Sequence, residues 1–259
     1  MITFSDTYAY QSRLKPRDPL QKLFCAALFL AVCLWANHGL VSVAVIVIMG
    51  GVTVIYGGTP PRFFIKLLLV PFSFLLIGVA TIAIHWVGKP EGLWVAIPVA
   101  GAWIGATPAG LKEALRLFLK ALGAVSCLYF LSLSTPISDL LTALRRLRLP
   151  KLLVEMMGLI YRFIFVLLET AETIYHAQNC RLGYTNLATG YRSLGTLISM
   201  LFIRSYRRSD ELYTALEARG YEGELNVLED TYQNHWSGYA LALAAALPLI
   251  MAAMILKRS

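Results

Sequence analysis

The chain has 259 residues, of which 58% are hydrophobic and only 15% are Asp, Glu, Lys or Arg, whereas an ordinary soluble domain has about 25% charged residues. One soluble core cannot bury so much apolar surface, and the same composition excludes disorder, collagen and coiled coil, so it predicts a protein that crosses a membrane several times. The net charge of +8 is typical of a membrane protein with Lys and Arg in its cytoplasmic loops. No basic stripe with interleaved aromatic residues occurs, so nucleic acid is not an expected partner.

Stretches without charged residues predict five membrane spans. The first stretch, between Lys22 and Arg62, has 39 residues and is divided into two short spans at Asn37-His38-Gly39, because one helix needs about 20 residues to cross a bilayer. The segment between Glu91 and Lys112, which contains prolines and glycines, is interpreted as interfacial or re-entrant. The third span is predicted between Lys66 and Lys89, with Pro71 inside. The fourth consists of the charge-free stretch between Lys120 and Asp139 together with the preceding turns from Leu111, and the last runs from Trp236 to Leu256.

Basic residues predict the orientation and the domain organisation. Arg13, Lys15, Arg17 and Lys22 precede the first span, so the N-terminus is expected in the cytoplasm, and four crossings return the chain there near Thr135. More than half of all charged residues follow between 135 and 235, in equal numbers of both signs. The sequence therefore predicts an all-α polytopic membrane protein with a transmembrane region of about four spans (1–134), a cytoplasmic insertion (135–235), and a last transmembrane helix with the C-terminus (236–259).

The cytoplasmic insertion is predicted to be helical. Pro136 opens a short helix and Pro150 ends it. The next helix runs from Lys151 to about Arg181 without a proline, which gives it a length of about 45 Å at 1.5 Å per residue. The following helix is expected from about Tyr191 to Ala218.

The two long helices have similar C-terminal sequences. The first ends in Cys180-Arg181-Leu182-Gly183-Tyr184 and the second in Ala218-Arg219-Gly220-Tyr221, with Gly183 and Gly220 predicted as the left-handed caps. A single arginine at such a position is explained by the helix macrodipole. Two of them on successive helices favour a paired device, in which two arginines dock into two equivalent sites, for instance on a dimer.

These features resemble the transmembrane T component of energy-coupling factor (ECF) transporters, and in particular its cobalt-type branch, CbiQ. The resemblance is carried by Asp6-Thr7-Tyr8-Ala9-Tyr10 and Asp18-Pro19 before the first span, by residues 201–208, and by Glu217-Ala218-Arg219-Gly220-Tyr221. It covers nearly the whole chain, and its specific motifs lie in residues 1–25 and 150–225.

The resemblance implies a non-catalytic scaffold in the cell (inner) membrane, with a cytoplasmic N-terminus and coupling region. In that family, coupling helices dock through arginine-bearing ends into two ABC-type ATPase subunits, which bind ATP and Mg²⁺, while the spans hold a substrate-binding S component in the membrane. The cargo of the cobalt branch is a divalent metal, usually Co²⁺ for cobalamin synthesis. No cofactor is therefore expected on this chain itself.

The family's Ala-Arg-Gly motif is matched unequally at the two helix ends. The second end keeps it intact, whereas in the first Cys180 replaces alanine and Leu182 is interpreted as an insertion before Gly183. The ATPase-coupling residues implied by the resemblance are Arg181, Gly183, Ala218, Arg219 and Gly220.

The sequence offers little support for other functions. The chain has no GxxxxGK[ST] motif for ATP binding, and its four histidines show no metal-ligand spacing, so neither ATP hydrolysis nor a metal site is expected here. An intramembrane enzyme needs ionisable groups inside its spans, and the predicted spans have almost none. A self-contained secondary transporter or channel is the alternative; such proteins usually show internal repeats, which this sequence lacks, and metal transport by the chain alone would favour it.

Overall fold

The computed structural model describes residues 2–36, 38–87, 95–99, 102–221, 232 and 236–258. The chain forms two compact units: a membrane unit, Met1–Ala143 with Thr231–Ser259, and a helical unit, Leu144–Asp230. Five helices of the described part are long and apolar enough to cross a membrane, and all five belong to the membrane unit. The prediction of an α-helical polytopic protein with about five spans is confirmed.

Helices make up most of both units, and α6 (Ile137–Arg146) continues from the first into the second. The other helices of the membrane unit are α1 (Ile2–Gln11), α2 (Pro19–Ala36), α3 (Gly39–Gly51), α4 (Pro61–Ala83), α5 (Pro108–Ser134) and α9 (Trp236–Arg258), and those of the helical unit are α7 (Lys151–Cys180) and α8 (Leu187–Glu217).

Prolines set the starts of three spans. Pro19, Pro61 and Pro108 are the first residues of α2, α4 and α5, a position where the missing N–H costs no hydrogen bond. The α5 start is also capped, because Thr107 Oγ1 accepts from the N–H of Gly110 at 3.1 Å. The third span therefore begins earlier than its charge-free stretch, which started only after Lys66.

The core of the membrane unit lies between α2, α3, α5 and α9. Its largest buried side chains include Phe29, Met49 and Val45, which pack in one apolar cluster. Close approach of α5 to α2 depends on Gly123, since a Cβ there would lie 2.7 Å from Cys33 Sγ. The spans are thus held by apolar packing and by small residues at helix contacts, as is usual in bilayers.

A single π-helical turn, Val52–Tyr56, follows α3. Its wider hydrogen bond runs from the N–H of Gly57 to the carbonyl oxygen of Val52 at 3.0 Å. A Cβ at Gly57 would overlap the carbonyl oxygen of Thr53, so the turn requires glycine at its end. Thr53 itself is buried and donates to the carbonyl oxygen of Met49 at 2.7 Å.

The N-terminal segment contacts two other parts of the membrane unit. Ser12 Oγ donates to the carbonyl oxygen of Gly57 at 3.2 Å, and the hydroxyls of Tyr10 and Ser138 lie 3.3 Å apart. The N-terminal segment, the 57–60 loop and the start of α6 therefore lie at the same end of the bundle. Four crossings that begin and end on one side of a membrane require this arrangement.

A buried polar cluster holds the same end together. Lys22 Nζ donates to the carbonyl oxygen of Ser134 at 3.0 Å, and the carboxylates of Asp18 and Asp139 attract Lys22 electrostatically. Lys22, Asp18 and Asp139 are each less than 5% exposed. Ser138 Oγ donates to Asp139 Oδ1 at 3.1 Å, and such hydrogen bonds lower the free-energy cost of burying a charge.

The N-terminus of α9 is held by a side chain from α2. With the Gln21 amide oriented so that its oxygen faces α9, Gln21 Oε1 accepts from the N–H groups of Gly238 and Tyr239 at 3.1 and 3.0 Å. These are orphan donors of a helix start. A Cβ at Gly238 would overlap the Gln21 amide, so glycine is required for this contact.

Three short strands lie between α4 and α5, and the sequence did not predict them. They are β1 (Ile84–Val87), β2 (Val95–Val99) and β3 (Ala102–Ala106), which pair antiparallel in the order β1-β3-β2. The segment interpreted as interfacial or re-entrant thus contains β2, β3 and the start of α5. Residues 88–94 and 100–101 of that region lie outside the described part.

Candidate functional site

The end of α7 has the hydrogen-bond pattern of a Schellman motif. The N–H of Gly183 donates to the carbonyl oxygen of Gln178 at 2.9 Å, and the N–H of Leu182 donates to that of Asn179 at 3.0 Å. Leu182 has φ +59°, so it is the left-handed residue of the motif. Arg181 directly precedes it, as the last residue before the chain turns.

The end of α8 has the same pattern. The N–H of Tyr221 donates to the carbonyl oxygen of Leu216, and the N–H of Gly220 donates to that of Glu217, both at 3.0 Å. Gly220 has φ +75° and is the left-handed residue here. Arg219 again directly precedes it.

The geometry corrects the predicted register of the first motif. The left-handed cap of α7 was predicted at Gly183, but it is Leu182, which occupies the position that Gly220 holds on α8. Leu182 is therefore a replacement of the motif glycine and not an insertion before it. In this register Arg181 corresponds to Arg219.

Gly183 has a different role from the one predicted. A Cβ at Gly183 would lie 2.7 Å from Ser193 Oγ and 2.9 Å from the carbonyl oxygen of Gln178. Glycine is needed there because α8 passes close to the turn, whereas a left-handed conformation does not require it.

A set of side-chain hydrogen bonds, not predicted from the sequence, fixes the turn between α7 and α8. Gln178 Nε2 donates to the carbonyl oxygen of Ser193 at 3.0 Å, and its Oε1 accepts from the Tyr184 hydroxyl at 2.8 Å. Ser193 Oγ donates to the carbonyl oxygen of Gly183 at 2.8 Å. The tip that carries Arg181 is therefore a rigid feature of the helical unit.

The structure does not bring Arg181 and Arg219 together. They lie at opposite ends of α8, whose 31 residues give a length of about 46 Å at 1.5 Å per residue. Both side chains are exposed, as are Ala218 and Gly220. Among the described residues neither guanidinium has an ion pair or a side-chain hydrogen bond. Two separate cationic points of contact are therefore available.

The surroundings of Arg219 include one further polar pair. Tyr213 lies one turn before Glu217, and its hydrogen bond to the Glu217 carboxylate raises the pKa of the Tyr213 phenol above its usual value. The phenol is therefore neutral at physiological pH. Further along the exposed face of α8, Glu211 pairs with Arg208 at 3.2 Å.

No metal-binding group is found in the described part of the chain: no three His, Cys, Asp or Glu side chains lie close enough together there to hold an ion. The side chains of His85 and His235 are not described.

Comparison with known proteins gives consistent matches. Residues 10–229 match the CbiQ family, whose description is cobalt transport protein. The cobalt transport protein CbiQ of Salmonella typhimurium is 39% identical over 61% of this chain and 70% of its own length. The Rhodobacter capsulatus protein of the same name is 34% identical over 88% of both chains.

A further relative carries the name of an energy-coupling factor transporter protein. The energy-coupling factor transporter transmembrane protein EcfT of Staphylococcus aureus is 31% identical over 74% of each chain. The family match spans most of the chain, and five helices of the described membrane unit are long and apolar enough to cross a membrane. The chain therefore belongs to the CbiQ cobalt transport protein family.

Proposed function

We propose that this chain is the transmembrane T component of an ATP-driven ECF-type uptake transporter for a divalent metal, with Co²⁺ for cobalamin synthesis as the cargo. The family match and the EcfT relative support this assignment. In this proposal the membrane unit contacts a substrate-binding S component in the bilayer. Two ABC-type ATPases bind ATP and Mg²⁺, and the chain itself binds no cofactor. The N-terminus and the helical unit face the cytoplasm.

The observation that carries the proposal is the pair of matched helix ends. Arg181 and Arg219 are exposed, occupy the same position in two Schellman motifs, and are separated by the length of α8. A spacing of about 46 Å suits two separate acidic grooves better than one shared site. The rigid turn around Gln178 and Ser193 supports transmission of a movement from the ATPases, because a firmly held tip moves with the helices it joins.

Substitution of the two arginines tests the coupling role. Loss of one partner of a charge-assisted contact costs about 2–5 kcal/mol, which corresponds to at least about a tenfold loss of affinity. We expect Arg181→Ala and Arg219→Ala each to reduce metal uptake and co-purification of the ATPases, and the double variant to abolish both. Uptake of radioactive Co²⁺ by cells and a mild-detergent pull-down are the measurements.

Arg162→Ala is the matched control, because Arg162 is an exposed arginine in the middle of α7. It should leave uptake and ATPase association unchanged. Normal uptake by the double variant at normal expression would contradict the coupling role. A chain that purifies alone and still transports metal after reconstitution would instead support a self-contained transporter or channel.

A further inference from the structure

A cavity of about 130 Å³ lies in the membrane unit between α2, α3, α5 and α9. Its inner wall includes Phe29, Met49 and Phe130, which are buried in the core. Leu241 on its rim is exposed on the outside of α9. The cavity is therefore an apolar recess that opens toward the bilayer.

The recess is large enough to hold an apolar occupant. Protein interiors leave few voids larger than a water molecule, and a dry apolar cavity of about 150 Å³ takes up benzene. Water gains few hydrogen bonds from apolar walls, whereas hydrocarbon restores the dispersion contacts that an empty space loses. A segment of lipid acyl chain fits this recess in size and chemistry, and the bilayer supplies it.

The polar groups at one end of the recess differ in their availability. Gln21 holds the α9 N-terminus and Lys22 donates to Ser134, so both are engaged. Arg17 also lines the recess and is exposed, and its guanidinium has no ion pair with another described residue. An exposed guanidinium beside a hydrocarbon-lined recess is complementary to a phosphate that carries an acyl chain.

We propose that this recess binds one anionic phospholipid, with part of an acyl chain between α2 and α9 and its phosphate at Arg17. Transfer of a chain from bilayer to recess brings little hydrophobic gain, because lipid tails are as apolar as the walls. Selectivity therefore comes from the headgroup, and a lipid with net negative charge is preferred over a zwitterionic one. All the residues that line the recess belong to the membrane unit.

Native mass spectrometry of the full-length chain tests the proposal. Phosphatidylglycerol or phosphatidylcholine is added to delipidated protein in mild detergent, and the affinity for each lipid is measured. We expect one tightly bound phosphatidylglycerol per chain, and phosphatidylcholine bound about tenfold more weakly. Arg17→Gln should reduce the affinity for phosphatidylglycerol to that for phosphatidylcholine, whereas Lys66→Gln, an exposed cation on α4 that does not line the recess, should not.

The acyl-chain part has its own variant and control. Ala245 lines the recess, so Ala245→Phe should fill it and remove the bound lipid, while Ala80→Phe on the exposed face of α4 should retain it. Undiminished phosphatidylglycerol binding by Arg17→Gln, or retained lipid in a correctly folded Ala245→Phe variant, would overturn the proposal.

Labelling of the native cysteines tests lipid binding in the recess without any substitution. Cys25 lines the recess and Cys180 is exposed on the helical unit. Phosphatidylglycerol should slow modification of Cys25 by a small uncharged maleimide and leave Cys180 unaffected. Equal protection of Cys25 by detergent alone or by phosphatidylcholine would overturn the headgroup selectivity.

Discussion

Leu182 is held in a conformation that costs a non-glycine residue about 1–2 kcal/mol. With its φ of +59°, Leu182 allows α7 to end with the same hydrogen bonds that are made at the end of α8. On α8 the corresponding residue is Gly220, which adopts a positive φ without steric strain. Because the strained residue follows Arg181 directly, the arginine keeps the position on its helix that Arg219 has. The two helix ends therefore have the same backbone conformation, although the residues at the left-handed position differ.

Substitutions at the two left-handed positions should affect the stability of the protein differently. Gly220→Ala introduces a Cβ at φ +75° with open space around it, so backbone strain alone should lower stability by about 1 kcal/mol. Leu182→Gly removes such strain, although added freedom in the unfolded chain offsets about 0.4–1 kcal/mol. Thermal unfolding in detergent should show a lower Tm for Gly220→Ala and an equal or higher Tm for Leu182→Gly. A lower Tm for Leu182→Gly would contradict the assignment of strain.

Gly183→Ala should loosen the α7–α8 turn for a different reason, which is close packing. Its Cβ would meet Ser193 Oγ and the carbonyl oxygen of Gln178, so the turn must open and the Gln178–Ser193 hydrogen bond must weaken. We expect faster amide hydrogen exchange at residues 178–193 and reduced metal uptake. Gly195→Ala on α8 has no atom within 4 Å of its Cβ, so it should be neutral or stabilising. Equal exchange rates in the two variants would refute the steric role of Gly183.

At the scale of the helices, the polar cluster of Lys22, Asp18 and Asp139 joins the start of α2 to the start of α6. Lys22 is a buried cation that the carboxylates of Asp139 and Asp18 attract, so its removal leaves buried negative charge without that attraction, which is destabilising. Lys22→Met should therefore lower the Tm in detergent strongly. Lys66→Met removes an exposed lysine of α4 and should leave the Tm within about one degree.

A second substitution separates the charge effect from lost packing. Asp139→Asn added to Lys22→Met removes one of the two buried carboxylate charges that attract Lys22 and should restore part of the Tm. If the double variant were no more stable than Lys22→Met, the electrostatic explanation would be wrong.

The membrane-spanning helices can be predicted from the sequence because each one requires a long run of apolar residues. Each span needs about 20 apolar residues, and charges interrupt the sequence between most of them, so five spans were found. The strands at 84–106 were missed because each has only four or five residues, with glycine and proline among them and no alternation long enough to recognise. The sequence does not predict the register of the α7 end, because glycine is the usual left-handed residue at a helix C-terminus. Only the backbone φ of Leu182 shows that leucine takes that position here.

For the molecule as a whole, the membrane unit has two distinct ends. One end holds the N-terminal segment, the 57–60 loop and the start of α6. The span α4 starts at that end, and the three-stranded sheet follows α4 in the chain. The N-terminal segment and the first turn of α2 contain the basic residues Arg13, Lys15, Arg17 and Lys22. Segments rich in Lys and Arg usually stay in the cytoplasm. The sheet and the first turns of α5 are therefore expected on the outer side.

Thiol labelling in whole cells tests this orientation. Glu113 is exposed near the start of α5, and the native Cys180 is exposed in the helical unit. A membrane-impermeant maleimide should label Glu113→Cys in intact cells and should reach Cys180 only after permeabilisation. The reverse order of labelling would show that the chain is inserted the other way.

The π-helical turn after α3 carries one residue more than an α-helical turn of the same span. The buried side chains of Val41, Val45 and Met49 are spaced by four residues and lie on one face, and removal of a residue among them would rotate the rest by about 100°. The π-helical turn Val52–Tyr56 already accommodates one extra residue in its wider hydrogen-bonded ring. Loss of Ile55, whose side chain is 71% exposed, would close that ring to an ordinary turn and relieve the requirement for glycine at Gly57. Within this span, a change in chain length should therefore be tolerated at the turn, whereas between Val41 and Met49 it would disturb the buried face.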